Sequence, residues 1–374
     1  MSRLRIGVLG GGQLGRMMAL AGYPLDLAFS FYENTPDCPS AALGKIFADR
    51  EGSTAGLDAF IDSADVFTYE FENIPASLVE RIAAKKPVYP SAKSLAVSQN
   101  RINEKKLFAQ LDIPSARFAE INSAADLRHA AEQSGLPLVI KTVTMGYDGK
   151  GQFLLKTAAQ VDDAWNQLGT QAPLIAEEFV RFNRELSIIA VRARDGSVAC
   201  YPLTENTHYH GILSHSIAPA ASVEPATQLT AERYISAMLN ALDHVGVFTV
   251  ELFETNTGLL VNETAPRVHN SGHWSIEGAH CSQFENHVRA VAGLPLGSTI
   301  CEKPTAMINI VGQHPSTLAV LQQTDAHLHL YGKSEREGRK LGHITLTAAN
   351  HEELSARMHG IAAVLPNPMA LLKK

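Results

Sequence analysis

Cysteine is scarce and scattered in this chain of 374 residues: Cys38, Cys200, Cys281 and Cys301 stand far apart and form no C-x-x-C pair. Neither a disulfide framework nor a zinc knuckle is expected, and a reducing cytoplasm suits the composition best. No window approaches eighteen uninterrupted apolar residues, which argues against a membrane span. Gly10, Gly11, Gly12, Gln13 and Arg16 interrupt the place where a signal peptide needs an apolar stretch, so secretion is not expected either. An excess of positive charge is missing too. Lys+Arg 32 against Asp+Glu 38 leaves a formal charge of -6, so no global basic field exists to hold a nucleic acid. Internal repeats and low-complexity segments are also lacking. What is present is an ordinary hydrophobic fraction of 45% over about two to three domains' length of chain, enough for a core that needs no staples.

The apolar patterning alternates short strands with helices. Leu4 to Leu9 reads as a strand, three glycines follow, and Leu14 onward has helical composition. Strands at Leu27 to Tyr32 and Val66 to Tyr69 and a helix at Ala76 to Ala84 continue a parallel α/β pattern, with a first boundary near residue 100. Beyond it, a helix spans Arg101 to Leu111. Ser123-Ala-Ala-Asp126 resembles a capping box opening a helix that ends at Gly135, ahead of a strand at Leu138 to Thr142. A helix at Ala158 to Leu168, a strand at Leu174 to Val180, a hairpin from Arg184 to Leu203 turning at Asp195-Gly196, and a helix at Thr230 to Val245 lead to a second hairpin, Val247 to Phe253 and Leu259 to Thr264. Strands at Ala306 to Val311, His327 to Tyr331 and His343 to Leu346 and a helix from His351 close the chain.

Gly10-x-Gly12-x-x-Gly15 follows a strand, opens a helix and has Glu33 about twenty residues on, which fits the dinucleotide fingerprint. A nicotinamide oxidoreductase is therefore an alternative reading. Strictly, such glycines only let backbone N–H groups approach some anion at a helix N-terminus. A second glycine-rich loop, Gly146-Tyr-Asp-Gly-Lys-Gly-Gln152, follows a strand carrying Lys141 and suits a flexible cover over a polyphosphate; it lacks the Walker A spacing. Glu177 and Glu178 are adjacent acids in an apolar strand, so one must face inward or meet a polar ligand. If the hairpin turns about Thr257, Glu251 and Glu263 lie opposite one another, where like charges destabilise a sheet unless a divalent cation reverses the sign. Asn262 adds an oxygen beside them. The segment Ala265 to Trp274 mixes cation, imidazole, amide, hydroxyl and indole, and Gly338 to His343 is a basic, glycine-flanked turn. His208, His210 and His215, or His269 and His273, lack an H-E-x-x-H pattern or cysteine partners, which makes a catalytic zinc a weak alternative.

As a set these motifs resemble the ATP-grasp superfamily and, within it, the 5-(carboxyamino)imidazole ribonucleotide synthase family. The resemblance covers nearly the whole chain through residues 12–17, 69–74, 146–152, 262–274 and 338–343. It implies an α/β ATP-grasp fold: an N-terminal Rossmann-like domain over 1–100, a two-lobed ATP-grasp unit over 101–295 with its lid at about 113–182, and a small β-rich C-terminal domain over 296–374. Activity is implied with it: ATP-dependent carboxylation of 5-aminoimidazole ribonucleotide by bicarbonate through carboxyphosphate, in de novo purine synthesis. Residues implied to bind ATP are Arg101, Lys141, the loop Gly146, Tyr147, Asp148, Gly149, Lys150, Gly151 and Gln152, the adenine hinge Glu177, Glu178, Phe179 and Val180, then Glu185 at the ribose, His208, Asn262 and Glu263. On the substrate side stand Gln13, Leu14, Tyr147, Asp148, Lys150, Arg267, His269, Asn270 and Ser271, with Lys333, Arg339 and Lys340 at the ribonucleotide phosphate. Lys141, Asp148, Arg267 and His269 are the implied catalytic groups, with Asp148 and His269 both candidates to accept the amine proton. Glu251 and Glu263 are implied to hold Mg²⁺, with Mn²⁺ an acceptable substitute; no biotin attachment motif is present. Small-molecule partners, no nucleic acid, no membrane and a cytoplasmic homodimer complete the expectation, against a nicotinamide oxidoreductase or a nucleotide-binding regulator without turnover.

Overall fold

The structure is a computed structural model that describes residues 3–49, 53–146 and 151–368. Its first sheet is parallel, in the order Lys45–Phe47, Ala28–Tyr32, Arg5–Leu9, Val66–Tyr69. Ile6, Val8, Phe31 and Phe67 are fully buried, as expected of parallel strands covered on both faces. One covering helix, Gln13–Gly22, turns Leu14, Met17 and Met18 inward at helical spacing and packs on Gln283–Ala292, far along the chain. His287 of that second helix bridges the units. Its Nε2 lies 2.8 Å from Thr68 Oγ1, and its Nδ1 accepts the Val247 N–H at 3.0 Å.

The lid is an antiparallel sheet in the order Phe118–Ile121, Leu174–Glu178, Leu138–Thr142, Gln152–Leu155, with helices Ala124–Ser134 and Val161–Leu168 packed against it. Ser123 caps its helix by accepting Asp126 N–H at 3.1 Å, but Asp126 reaches back to Asn122 N–H instead of to the cap residue, so the expected capping box is shifted by one residue. The third sheet runs Gly258–Ala265, Gly246–Thr255, Arg184–Arg192, Thr204–Tyr209, Ile212–Ala218, Thr305–Val311, Lys340–Thr347, Ala326–Leu330, with Val198–Cys200 paired to Arg184–Arg192. The three C-terminal strands thus continue the sheet that carries Glu251 and Glu263, which brings the basic turn before Lys340 into reach of that hairpin.

Two expectations shift. The helix expected at Thr230 to Val245 spans Pro225–Ala241: Pro225 starts it early, and chain reversal through Asp243 and Gly246, both at positive φ, stops it before Val245. The strands Thr204–Tyr209 and Ile212–Ala218 were not anticipated, because their half-exposed, polar sequence carries little apolar alternation.

Candidate functional site

A cleft of about 1150 Å³ opens where the three sheets meet. Its walls include Gln13 and Leu14 at the start of helix Gln13–Gly22, Lys141 and Phe179 of the lid, Glu251 and Glu263 of the hairpin, and Lys333, Arg339 and Lys340 on and before the strand Lys340–Thr347.

The acidic pair depends on a bulge. The hairpin turns over Asn256-Thr257, pairing Thr255 with Gly258 and Leu252 with Val261, a register that would set Glu251 opposite Asn262. An irregularity between Val250 and Leu252 then restores Val250 to Thr264, so Glu251 faces Asn262 and Glu263 together. Burial pushes the Glu251 carboxyl up to about 7, and the neighbouring Glu263 charge adds to it. Arg101 approaches Glu263 at 3.6 Å while donating to Thr142 O and Gly146 O, the residues that lead into the second glycine loop. Two carboxylates crowded together at the cleft wall, Glu251 largely shielded and Glu263 partly exposed, fit a hard divalent cation. Among the described residues no group of three or more His, Cys, Asp or Glu side chains is arranged to hold a metal, so other oxygens, from Asn262, water or substrate, would complete any such shell.

On the lid side of the cleft, Glu177 faces inward and Glu178 outward. Glu178 pairs with Arg117 at 2.9 Å on the lid surface, whereas Glu177 accepts from Lys141 at 2.6 Å and meets Lys105 at 3.2 Å. Burial alone would raise the Glu177 carboxyl, but Lys141 and Lys105 outweigh it and hold it below the usual range. All four expected hinge residues, Glu177, Glu178, Phe179 and Val180, line the cleft, with the Glu177 side chain paired to two lysines. Glu185 is hydrogen-bonded to His208; burial works to lower the imidazole, and the carboxylate reverses this and raises it.

Arg267 is clamped by Glu72, with Nη2 donating at 2.6 Å to one oxygen and Nε donating to the other. His269 N–H is anchored on Gln283 Oε1 at 2.9 Å. Its Nδ1 accepts the Ser271 N–H at 3.3 Å, and since a backbone N–H can only donate, the neutral ring carries its proton on Nε2, 3.5 Å from Glu251 Oε1. Burial, then Arg267, holds the imidazole well below its ordinary value, so the ring is neutral at pH 7. His269 therefore presents its Nε2–H toward the cleft. The Ser271 expectation is corrected. It is fully buried behind His269, its hydroxyl spanning His269 Nδ1 and Ser187 Oγ at 2.8 Å each, and it is not among the cleft walls. Asn270 lines the cleft but exchanges amide hydrogen bonds with Asn309 at 2.7 and 3.0 Å. Lys333 donates to Gln13 Oε1 at 2.5 Å, and Arg339 is steadied by Ser334 Oγ at 3.0 Å. Tyr147, Asp148, Gly149 and Lys150 lie outside the described residues; Gly146, Gly151 and Gln152 flank them at the cleft.

Sequence reasoning missed Glu72, Glu104 and Lys105. Glu104 lies in the wall, accepting Thr264 N–H at 2.9 Å and the Thr264 hydroxyl. Only the acid-rich stretch Tyr69 to Asn73 and the charged, weakly amphipathic helix Arg101–Gln110 carried a signal for them. The dinucleotide fingerprint meets a different fate: the Glu70 carboxylate fills it, accepting from Gly12 N–H and, at 2.6 Å, from Gly15 N–H.

Known proteins share this arrangement. Residues 3–99 match the ribonucleotide synthetase preATP-grasp domain, 106–284 the ATP-grasp domain, and 305–357 the phosphoribosylaminoimidazole carboxylase C-terminal domain. N5-carboxyaminoimidazole ribonucleotide synthase of Pseudomonas aeruginosa is 49% identical, with 97% of this chain and 99% of that one covered. The crystal structure of the Thermus thermophilus synthetase superposes with a TM-score of 0.92 at 45% identity over 97% and 99% of the two chains. The Aspergillus clavatus synthase, solved in complex with ADP and 5-aminoimidazole ribonucleotide, gives 0.88 at 31% identity over 96% and 98%.

Proposed function

This chain belongs to the N5-carboxyaminoimidazole ribonucleotide synthase family of ATP-grasp enzymes, the family also called 5-(carboxyamino)imidazole ribonucleotide synthase, and from that premise we propose how its own residues carry out the reaction. ATP and bicarbonate form carboxyphosphate and ADP; the exocyclic amine of 5-aminoimidazole ribonucleotide then takes the carboxyl group and phosphate leaves. The single observation that carries the reading is the meeting, in one cleft, of the Glu251 and Glu263 pair, of Lys141 with Glu177, which Lys105 backs from behind, and of the Arg267, His269 and Lys333 wall.

Bicarbonate is a poor electrophile because its carbon bears anionic oxygens, and phosphorylation supplies a leaving group. Lys141 and Arg101 counter charge on the ATP phosphates, with the loop 146–152 closing over them to exclude water. Phe179 and Val180 offer the adenine surface, and the Glu185 carboxylate the ribose acceptor. Glu251, Glu263 and Asn262 would hold Mg²⁺ or Mn²⁺, which when bound neutralises phosphate oxygens. Arg267, held in plane by Glu72, offers paired donors to bicarbonate or carboxyphosphate oxygens, and His269 adds its Nε2–H. Asp148 and His269 are both candidates to accept the amine proton. Lys333, Arg339 and Lys340 hold the ribonucleotide phosphate.

The matched segments support dividing the chain into units 1–100, 101–295 and 296–374. A homodimer in the cytoplasm completes the reading; no helix among the described residues is long and apolar enough to cross a membrane. Coupled measurement of ADP release, with and without bicarbonate and 5-aminoimidazole ribonucleotide, tests the activity: release should require both, and release indifferent to the ribonucleotide would refute it.

A further inference from the structure

Every glycine of the Gly10-x-Gly12-x-x-Gly15 fingerprint faces one side chain. A Cβ built on Gly10 would come within 2.6 Å of Glu70 Cγ, one on Gly12 within 2.7 Å of Glu70 Oε1, and one on Gly15 within 3.4 Å of Glu70 Oε2, just beyond Ser40 Oγ at 3.3 Å. Glu70 itself is buried, and its two oxygens accept the Gly12 and Gly15 N–H groups at the start of helix Gln13–Gly22. Glu33 takes the adjoining Gly11 N–H at 3.2 Å. Backbone donors that elsewhere hold a ligand's phosphate are thus satisfied from within the chain.

The two ends of this lock reach the cleft. On one side, Gln13 follows Gly12 directly and accepts from Lys333. On the other, Glu72 lies two residues beyond Glu70 and clamps Arg267. Both cations line the cleft. We infer that Glu70 is a positioning residue for the acceptor side of the site: an internal anion that replaces a bound phosphate and fixes the separation between the Gln13–Lys333 wall and the Glu72–Arg267 wall. The inference rests on the proposed carboxylation for the identity of the acceptor. The lock itself does not depend on it.

Glu70→Gln keeps the shape and one acceptor oxygen but turns an NH₂ toward a backbone N–H. The KM for the ribonucleotide should rise about tenfold or more, the size expected from losing one charged hydrogen bond, while kcat and ATP affinity stay within about threefold. Glu70→Ala empties the glycine loop, and sodium formate should refill it. Formate should then restore at least about tenfold in kcat/KM for the ribonucleotide and raise the melting temperature of Glu70→Ala more than that of the wild type, whereas sodium chloride at equal ionic strength should do neither. A wild-type ribonucleotide KM in Glu70→Gln, ATP affinity falling in step with it, or formate acting no better than chloride would overturn the inference. If Glu70→Ala fails to fold, the split between KM and kcat in Glu70→Gln decides alone. If the wild type shows no ribonucleotide-dependent ADP release, the carboxylation reading has failed, and the formate melting arm still judges the lock.

Discussion

Glu104 gives the most quantitative test of the site's electrostatics. It sits 3% exposed on helix Arg101–Gln110, and burial, with the Glu263 charge adding to it, pushes its carboxyl up to about 8 despite hydrogen bonds from Thr264. In the unfolded chain the same group titrates near 4.5. Between those two values the folded state keeps a proton that the unfolded state has released. Stability from this group is therefore complete below about pH 4.5 and is lost as pH rises toward 8. At 1.36 kcal/mol per unit, the full window amounts to roughly 5 kcal/mol.

Glu104→Gln should abolish that slope, because a glutamine oxygen can still accept the Thr264 N–H and hydroxyl while carrying no charge to desolvate. The two proteins should differ least near pH 5 and diverge steadily as pH rises toward 8. By pH 8.5 the variant should be the more stable, by roughly 5–10 °C on the usual scaling of melting temperature with chain size. Differential scanning calorimetry at half-unit steps from pH 5 to 9, in magnesium-free buffer, reads this directly. Melting curves that stay parallel across that range, or a wild type that gains on the variant as pH rises, would refute the argument that Glu104 is held neutral by burial.

Other consequences follow from single contacts. Glu177→Gln leaves Lys105, whose side chain is 2% exposed, without its countercharge, and should cost about 3 kcal/mol of stability, measured by denaturant titration. Glu263→Gln and Glu251→Gln should each abolish turnover with the fold intact; near-normal ADP release at saturating magnesium in both would remove the metal assignment. His269→Ala should leave ATP affinity within about a few fold and lower kcat/KM for the ribonucleotide about a hundredfold or more, while Lys141→Ala weakens nucleotide binding directly. Paired substrate titrations and nucleotide-binding curves on the two variants check this division, which fails if His269→Ala loses ATP binding and keeps its ribonucleotide dependence.

Much of this architecture was legible in the sequence wherever a local signal determined the outcome. Strands Val66–Tyr69 and Leu138–Thr142 lie where the apolar runs placed them, and Glu251 and Glu263 meet as the hairpin spacing implied. The reason they meet is different. A two-residue turn over Asn256-Thr257 alone would have matched Glu251 with Asn262, and the bulge that corrects this leaves no mark in composition or periodicity. The glycine fingerprint was legible as an anion nest, but the anion lies some sixty positions away in sequence, in Glu70, and such a partner becomes visible only when strands Arg5–Leu9 and Val66–Tyr69 are set side by side. Ser271 was misjudged for a similar reason: its place behind His269 is fixed by Ser187 on another strand.

Glu177 links the lid sheet to the hairpin that carries Glu251 and Glu263. The strand that carries it belongs to the lid sheet, Lys141 lies on the neighbouring lid strand, and Lys105 comes from the helix below the hairpin, where it also donates to Asn262 O at 3.2 Å. A single lysine paired with Glu177 would be neutral and offer nothing to a polyphosphate. Two lysines on one carboxylate carry one net positive charge, so Lys141 can turn toward phosphate oxygens while Lys105 continues to neutralise Glu177. The buried carboxylate is then never left uncompensated, which is the costly outcome for a charge removed from water. Lys105 keeps the lid strand tied to Asn262, one residue from Glu263, throughout that exchange. Phosphate capture by Lys141 would thus leave Glu177 paired with Lys105, which also donates to Asn262 O beside Glu263.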